Sequence, residues 1–208
     1  MGHPGSREDL DRFVYSQTPG YVERDVRAAF RDAVPLKTVV VYCYDPRAAR
    51  IPFELPKFLG DEVYPGEVVY DGQGKKVGST ATIMPIVNAG GRAIDALRSI
   101  TIANHLFGLD RVVVVHHTNC GTSSFTGAGL IDAYRQEQGV DIATAYDVAS
   151  LAIDHLSATL GHDVRIVRES PAVPKAVDVV GYVYDIDTDA YVPDFAVRPS
   201  DVADSVIG

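Results

Sequence analysis

The sequence predicts an α/β fold, a mainly parallel central β-sheet flanked by helices, with an N-terminal helical arm. Three observations carry this. Two continuous β-branched runs, KTVVVYC at 37–43 and RVVVVHH at Arg111–His117, are of the kind buried on both faces of a parallel sheet. A helical segment at 93–106, ending near Gly108, lies between them and supplies the crossover that parallel strands require. The chain has 208 residues, 46% of them hydrophobic, and no Pro-, Gly- and Ser-rich linker divides it. One domain, 1–208, is therefore expected, with an arm at 1–35 and an α/β core at 36–208.

The elements follow in order. Residues 7–17 and 21–33 read as two helices broken at Thr18-Pro19-Gly20, the second with Val22, Val26, Ala29 and Phe30 on one face. The first strand, 37–43, ends at a cysteine. Residues 68–82 depart from the strand and helix alternation and read as a small hairpin turning at Asp71-Gly72-Gln73-Gly74. A shorter strand follows at 83–87, then the helix at 93–106 and the strand Arg111–His117. Helices are expected at 127–138 and 144–160, the latter amphipathic through Val148, Leu151, Ala152, His155 and Leu156, and 177–186 is the last strand.

Composition narrows the function. A net charge of -9 without a basic run argues against nucleic acid and anionic membranes as partners. The polar start MGHPGSREDLDRF and the lack of a long apolar stretch predict a soluble, cytoplasmic protein. Two cysteines are too few for a disulfide framework and read as free thiols, metal ligands or nucleophiles.

In parallel α/β sheets, functional groups gather beyond the carboxyl ends of the strands. Cys43 ends one strand there and His117 another, and Cys120 lies three residues past His117. Two sulfurs and one imidazole suit zinc, and three protein ligands leave a fourth position for water, whose pKa the metal lowers to about 7. Ordinary buried thiols are the plain alternative. The sequence Cys43-Tyr44-Asp45-Pro46-Arg47 shifts the balance, because an acid and a base two residues apart in the loop can orient each other beside the metal.

The pattern Cys43-x-Asp45-x-Arg47 followed by His117-x-x-Cys120-Gly121 resembles the signature of the β-class carbonic anhydrases. Asn88-Ala-Gly-Gly91 is similar to that family's glycine turn, Leu97-Arg98-Ser99 to its next helix, and Gly181-Tyr-Val-Tyr-Asp185 to its final strand. The likeness runs from about Lys37 to Tyr191. The His116-His117 pair resembles the minor subclass that also holds carbonyl sulfide and carbon disulfide hydrolases. The resemblance implies zinc on Cys43, His117 and Cys120, with Asp45 and Arg47 as catalytic residues and Asn88, Gly90 and Gly91 at the substrate pocket. In the family, Asp45 can also swing onto the metal when its pair with Arg47 breaks. The resemblance further implies a homodimer or dimer of dimers, with residues 7–33 crossing the subunit interface. Carbon dioxide is the expected substrate, with carbonyl sulfide or carbon disulfide the alternative. Val87 stands where the family usually has arginine, Asn119 where aspartate is common, and the hairpin at 68–82 reads as an insertion.

Other histidines are expected to be structural. His116 should point away from His117, as packing or as a partner behind the ligands, and His105 should pack in the core. Two rival readings remain. In one, Cys43 or Cys120 is a thiolate nucleophile with His117 as base. In the other, Asp45 closes the tetrahedron and the chain is a non-catalytic zinc module.

Overall fold

The computed structural model describes residues 8–202. Its strands are β1 Thr38–Cys43, β2 Val68–Tyr70, β3 Lys76–Ser79, β4 Ile83–Asn88, β5 Arg111–His117, β6 Asp178–Asp185 and β7 Ala190–Val197. Its α-helices are α1 Glu23–Ala33, α2 Ile51–Leu59, α3 Ala93–Phe107, α4 Gly127–Gln138 and α5 Leu156–Glu169. Five strands form one sheet in the order β4-β1-β5-β6-β7, and β2 and β3 form the separate hairpin expected at 68–82. The neighbours from β4 to β6 pair in parallel, and β7 adds to β6 antiparallel.

Every residue of β1 is buried, which is why its sequence is β-branched without alternation. Val39 and Val41 pack with Ala96 and Ile100 of α3 and Val164 of α5 on one face. Val40 and Tyr42 pack with Ile51 and Leu55 of α2 on the other. The α3 face is set by Ala93, Ala96, Ile100 and Ala103, at helical spacing.

The structure corrects three expectations. The first arm helix is replaced by short 3-10 segments at Glu8–Phe13 and Tyr15–Gln17, with residue 7 outside the described residues. Residues 10–20 are exposed, and so short a helix has little stability without a packed face. The helix expected at 144–160 starts only at Leu156. Before it lies a loop with one turn, Val148–Ser150, because the side chain of Asp147 caps that turn and Arg92 takes the carbonyls of Ala149, Ser150 and Ala152. His105 is not a core residue: its side chain is 56% exposed and its Nε2 lies 2.7 Å from Glu23 of α1.

Two elements were not foreseen. The two prolines of α2 masked a helix whose Pro52 sits at its tolerant start, although Pro56 lies inside it. Strand β7 contains Pro193 and survives as an edge strand, where a missing N–H costs least. Among the described residues, no helix is long and apolar enough to cross a membrane.

Candidate metal centre

The chain leaves β1 toward β4 on one side and leaves β5 toward β6 on the other, so the crevice at their carboxyl ends is a topological switch point. Cys43, His117 and Cys120 meet in it. All three are buried, and their ligand atoms lie within 4.8 Å of one another. Both cysteines are free, with their sulfurs 3.8 Å apart. Two sulfurs bound at about 2.3 Å to a tetrahedral zinc are themselves about 3.8 Å apart.

The histidine is set up for the same task. Its Nδ1–H donates to the Thr118 carbonyl at 2.8 Å, leaving Nε2 buried with no hydrogen-bond partner among the described residues. An orphaned imidazole nitrogen beside two sulfurs is a ligand lone pair in waiting. Separation, donor type and orphaned atom together fit zinc.

The two thiols are unequal. Their mutual hydrogen bond pulls the Cys120 thiol down, helped by Thr122, whose Oγ1 lies 3.1 Å from the Cys120 sulfur. The same bond, and then burial, push Cys43 up, against a backbone N–H of Asp45 donated to its sulfur at 3.4 Å.

Asp45 caps the single turn Pro46–Ala48 and is gripped by Arg47 in a fork. Arg47 Nε donates to Oδ1 at 3.1 Å, Nη2 to Oδ2 at 2.7 Å, and the Arg47 amide to Oδ1 at 2.9 Å. The side-chain bonds, then the amide, hold the Asp45 carboxyl down at about 2. Arg47 Nη2 also donates to the carbonyl of Asn119 at 2.9 Å. Asn119 has φ 53, a left-handed conformation that asparagine tolerates better than most residues. The loops that follow β1 and β5 are thus tied together by Arg47.

Asn88 is the register partner of Cys43. Its Nδ2 donates to the Arg92 carbonyl at 2.8 Å, and its Oδ1 is buried with no partner among the described residues. Gly91, φ +69, sits where a Cβ would lie 2.7 Å from the Val115 carbonyl oxygen and 3.1 Å from the Cys43 nitrogen. Gly90, φ +68, is equally close to the Thr122 hydroxyl. His116 points to the opposite face from His117, as expected, and its Nε2 lies 3.0 Å from Asp163.

Residues that sequence reasoning missed are Thr122, Ile153 and the buried pair Arg92 and Asp163. Asp163 had a readable signal. It sits on the apolar stripe Leu160, Val164, Val167 of α5, where an acid has to have a partner. Placing the helix at 144–160 cut that stripe off.

With this geometry in hand, the class is an α/β protein with a buried Cys-His-Cys group able to hold a metal ion. The solved carbonic anhydrase of Streptococcus mutans is similar to it, with a TM-score of 0.57 at 24% identity, covering 88% of this chain and 95% of that one. The fold is that of the β-carbonic anhydrases. In sequence, the chain is 31% identical to the carbon disulfide hydrolase of an Acidianus strain over 124 residues, 49% of this chain and 60% of that protein. It is 29% identical to β-carbonic anhydrase 1 of Mycobacterium tuberculosis over 94 residues, 45% of this chain and 55% of that protein. The matched stretches thus span less than two thirds of these relatives' own length. No protein-family model matches the chain.

Proposed function

We propose that the chain is a zinc enzyme of carbonic anhydrase type that reversibly hydrates carbon dioxide to bicarbonate. The observation that carries this is the buried group of two sulfurs 3.8 Å apart and an unpartnered His117 Nε2, next to a carboxylate held by arginine. Cys43, His117 and Cys120 would hold the metal. When bound, zinc supplies a Lewis acid that makes water a nucleophile near neutral pH.

The remaining work falls to the chain. Asp45, ionised down to about pH 2, can only accept a hydrogen bond, so it orients a water molecule by accepting a hydrogen bond from one of its O–H groups. Arg47 keeps that carboxylate turned away from the ligand group. The turn at Asn88, Gly90 and Gly91 bounds the substrate pocket beside Cys43. An uncharged linear substrate requires no charged recognition group there.

A second reading has a specific observation in its favour. The 31% identity to a carbon disulfide hydrolase supports hydrolysis of carbon disulfide or carbonyl sulfide on the same site, with release of hydrogen sulfide. Rates for the three substrates, measured side by side on zinc-loaded protein, separate these. Dominant hydration supports the first reading and dominant sulfide release the second. No turnover of any of them at one bound zinc per chain would leave a non-catalytic zinc module. Cys43→Ala should lose both zinc and turnover; full activity in that metal-free variant would sink the mechanism.

We further propose a homodimer built on the arm, supported by the exposure of Leu10, Phe13, Tyr15 and Val22. Sedimentation of the intact chain against a chain lacking residues 1–20 would test it. A monomer in both cases removes it.

A further inference from the structure

We propose that Arg92 is a positioning residue for the metal site, holding the segment 147–153 so that Ile153 closes over the two sulfurs. The proposal rests on the reading of Cys43, His117 and Cys120 as metal ligands.

Arg92 is 3% exposed and stands at the N-terminus of α3, where a cation opposes the helix dipole. Its burial there must be compensated, and its partners show how. Nε donates to Asp163 Oδ2 at 2.9 Å. Nη1 donates to the carbonyls of Ala152 at 2.6 Å, Ser150 at 3.1 Å and Ala149 at 3.3 Å, and Nη2 to Ala149 at 3.3 Å. One guanidinium therefore gathers three carbonyls of a single loop, a geometry that the point charge of lysine does not reproduce.

The next residue along that loop is Ile153, 2% exposed and packed in one cluster with Cys43 and Cys120. Its N–H donates to the Thr122 carbonyl at 3.0 Å, and the Thr122 hydroxyl touches the Cys120 sulfur. Asp163, the counter-ion of Arg92, also holds His116, the residue before ligand His117. The apolar wall over the sulfurs and the end of β5 are thus keyed to the same cation. Around a metal site, an apolar wall controls solvent access, and groups that orient ligands are worth roughly 10–100-fold in metal affinity.

The test uses the full chain loaded with cobalt(II), reading the sulfur-to-cobalt charge-transfer band and the rate of metal release to a chelator. Arg92→Lys is expected to release cobalt about tenfold faster or more and to shift the band. Ile153→Ala should do the same, and the double variant should be no worse than the more severe single one, since both act through one wall. A band and release rate unchanged in Arg92→Lys, or effects that add in the double variant, would overturn the proposal. A lowered melting temperature with the band and release rate intact would do so too, because that is what a purely structural arginine gives. If Arg92→Lys does not fold, Ile153→Ala decides alone: an unchanged release rate removes the wall's role. Failure of the unaltered chain to bind cobalt would instead remove the metal-site reading itself.

Discussion

Gly91→Ala tests how the site is built, because the cost can be worked from two separable sources. The backbone there is left-handed, φ +69, which costs an L-residue about 1–2 kcal/mol. The new Cβ would also meet Val115 O at 2.7 Å, Tyr42 Cα at 3.0 Å and Cys43 N at 3.1 Å, all backbone atoms of the two central strands that cannot rotate away. Overpacking of this kind costs about 1–3 kcal/mol. The sum is about 3 kcal/mol, which in a chain of this size lowers Tm by about 6–12 °C. Gly74→Ala is the control: φ is +75, but nothing lies within 4 Å, so only the left-handed cost applies. Thermal unfolding of both variants isolates the close approach. Relief of the contact would push Cys43 from its neighbours, so Gly91→Ala should also bind zinc more weakly, and Gly74→Ala should not. Equal Tm losses, to within about 1 °C, would refute the view that Gly91 wedges between the strands that carry the ligands.

Three further outcomes are expected. Arg47→Ala should raise the Asp45 carboxyl midpoint from about 2 toward about 3.9, read by NMR titration; because the paired carboxyl is depressed, its contribution to stability is present above about pH 3.9 and lost as pH falls toward 2, and an unmoved midpoint would show that Arg47 is not its cause. Asp163→Asn leaves the Arg92 charge buried and unpaired, at about 3–5 kcal/mol, so a Tm loss on the order of 10 °C is expected by calorimetry, and a loss under about 2 °C would count against a charged pair. Asn119→Asp keeps a residue that tolerates φ 53 but puts a second carboxylate by Arg47, so the Asp45 midpoint should rise; a fall would contradict the geometry.

The central strands were the most legible elements because their burial is symmetric. The β1 and β5 runs are covered on both faces, so their residues carry the signal without help from context. The candidate ligands Cys43 and His117 were legible for the same reason, as they terminate these runs, and Cys120 follows at short range. What failed was decided by contacts across the chain. The loop at 144–155 has helical apolar spacing, but Arg92, some 60 positions earlier, takes the carbonyls that a helix would use. The arm's first segment, expected to be helical, lies exposed with little packing to stabilise a helix.

These failures share a cause with the proposed positioning role. A loop whose backbone bonds are satisfied by one distant cation has no local sequence code for its shape, and its conformation depends on that cation and on the acid that neutralises it. Gly90 and Gly91 take left-handed conformations where the chain turns from the end of β4 into α3, immediately before Arg92. The glycine turn therefore acts on the site in two ways: directly, by letting β1 and β5 close around Gly91, and indirectly, by delivering Arg92 to the segment that ends in Ile153. If so, Gly91→Ala and Arg92→Lys should perturb the cobalt charge-transfer band in the same direction but differ in stability, since only the first inserts atoms between the central strands.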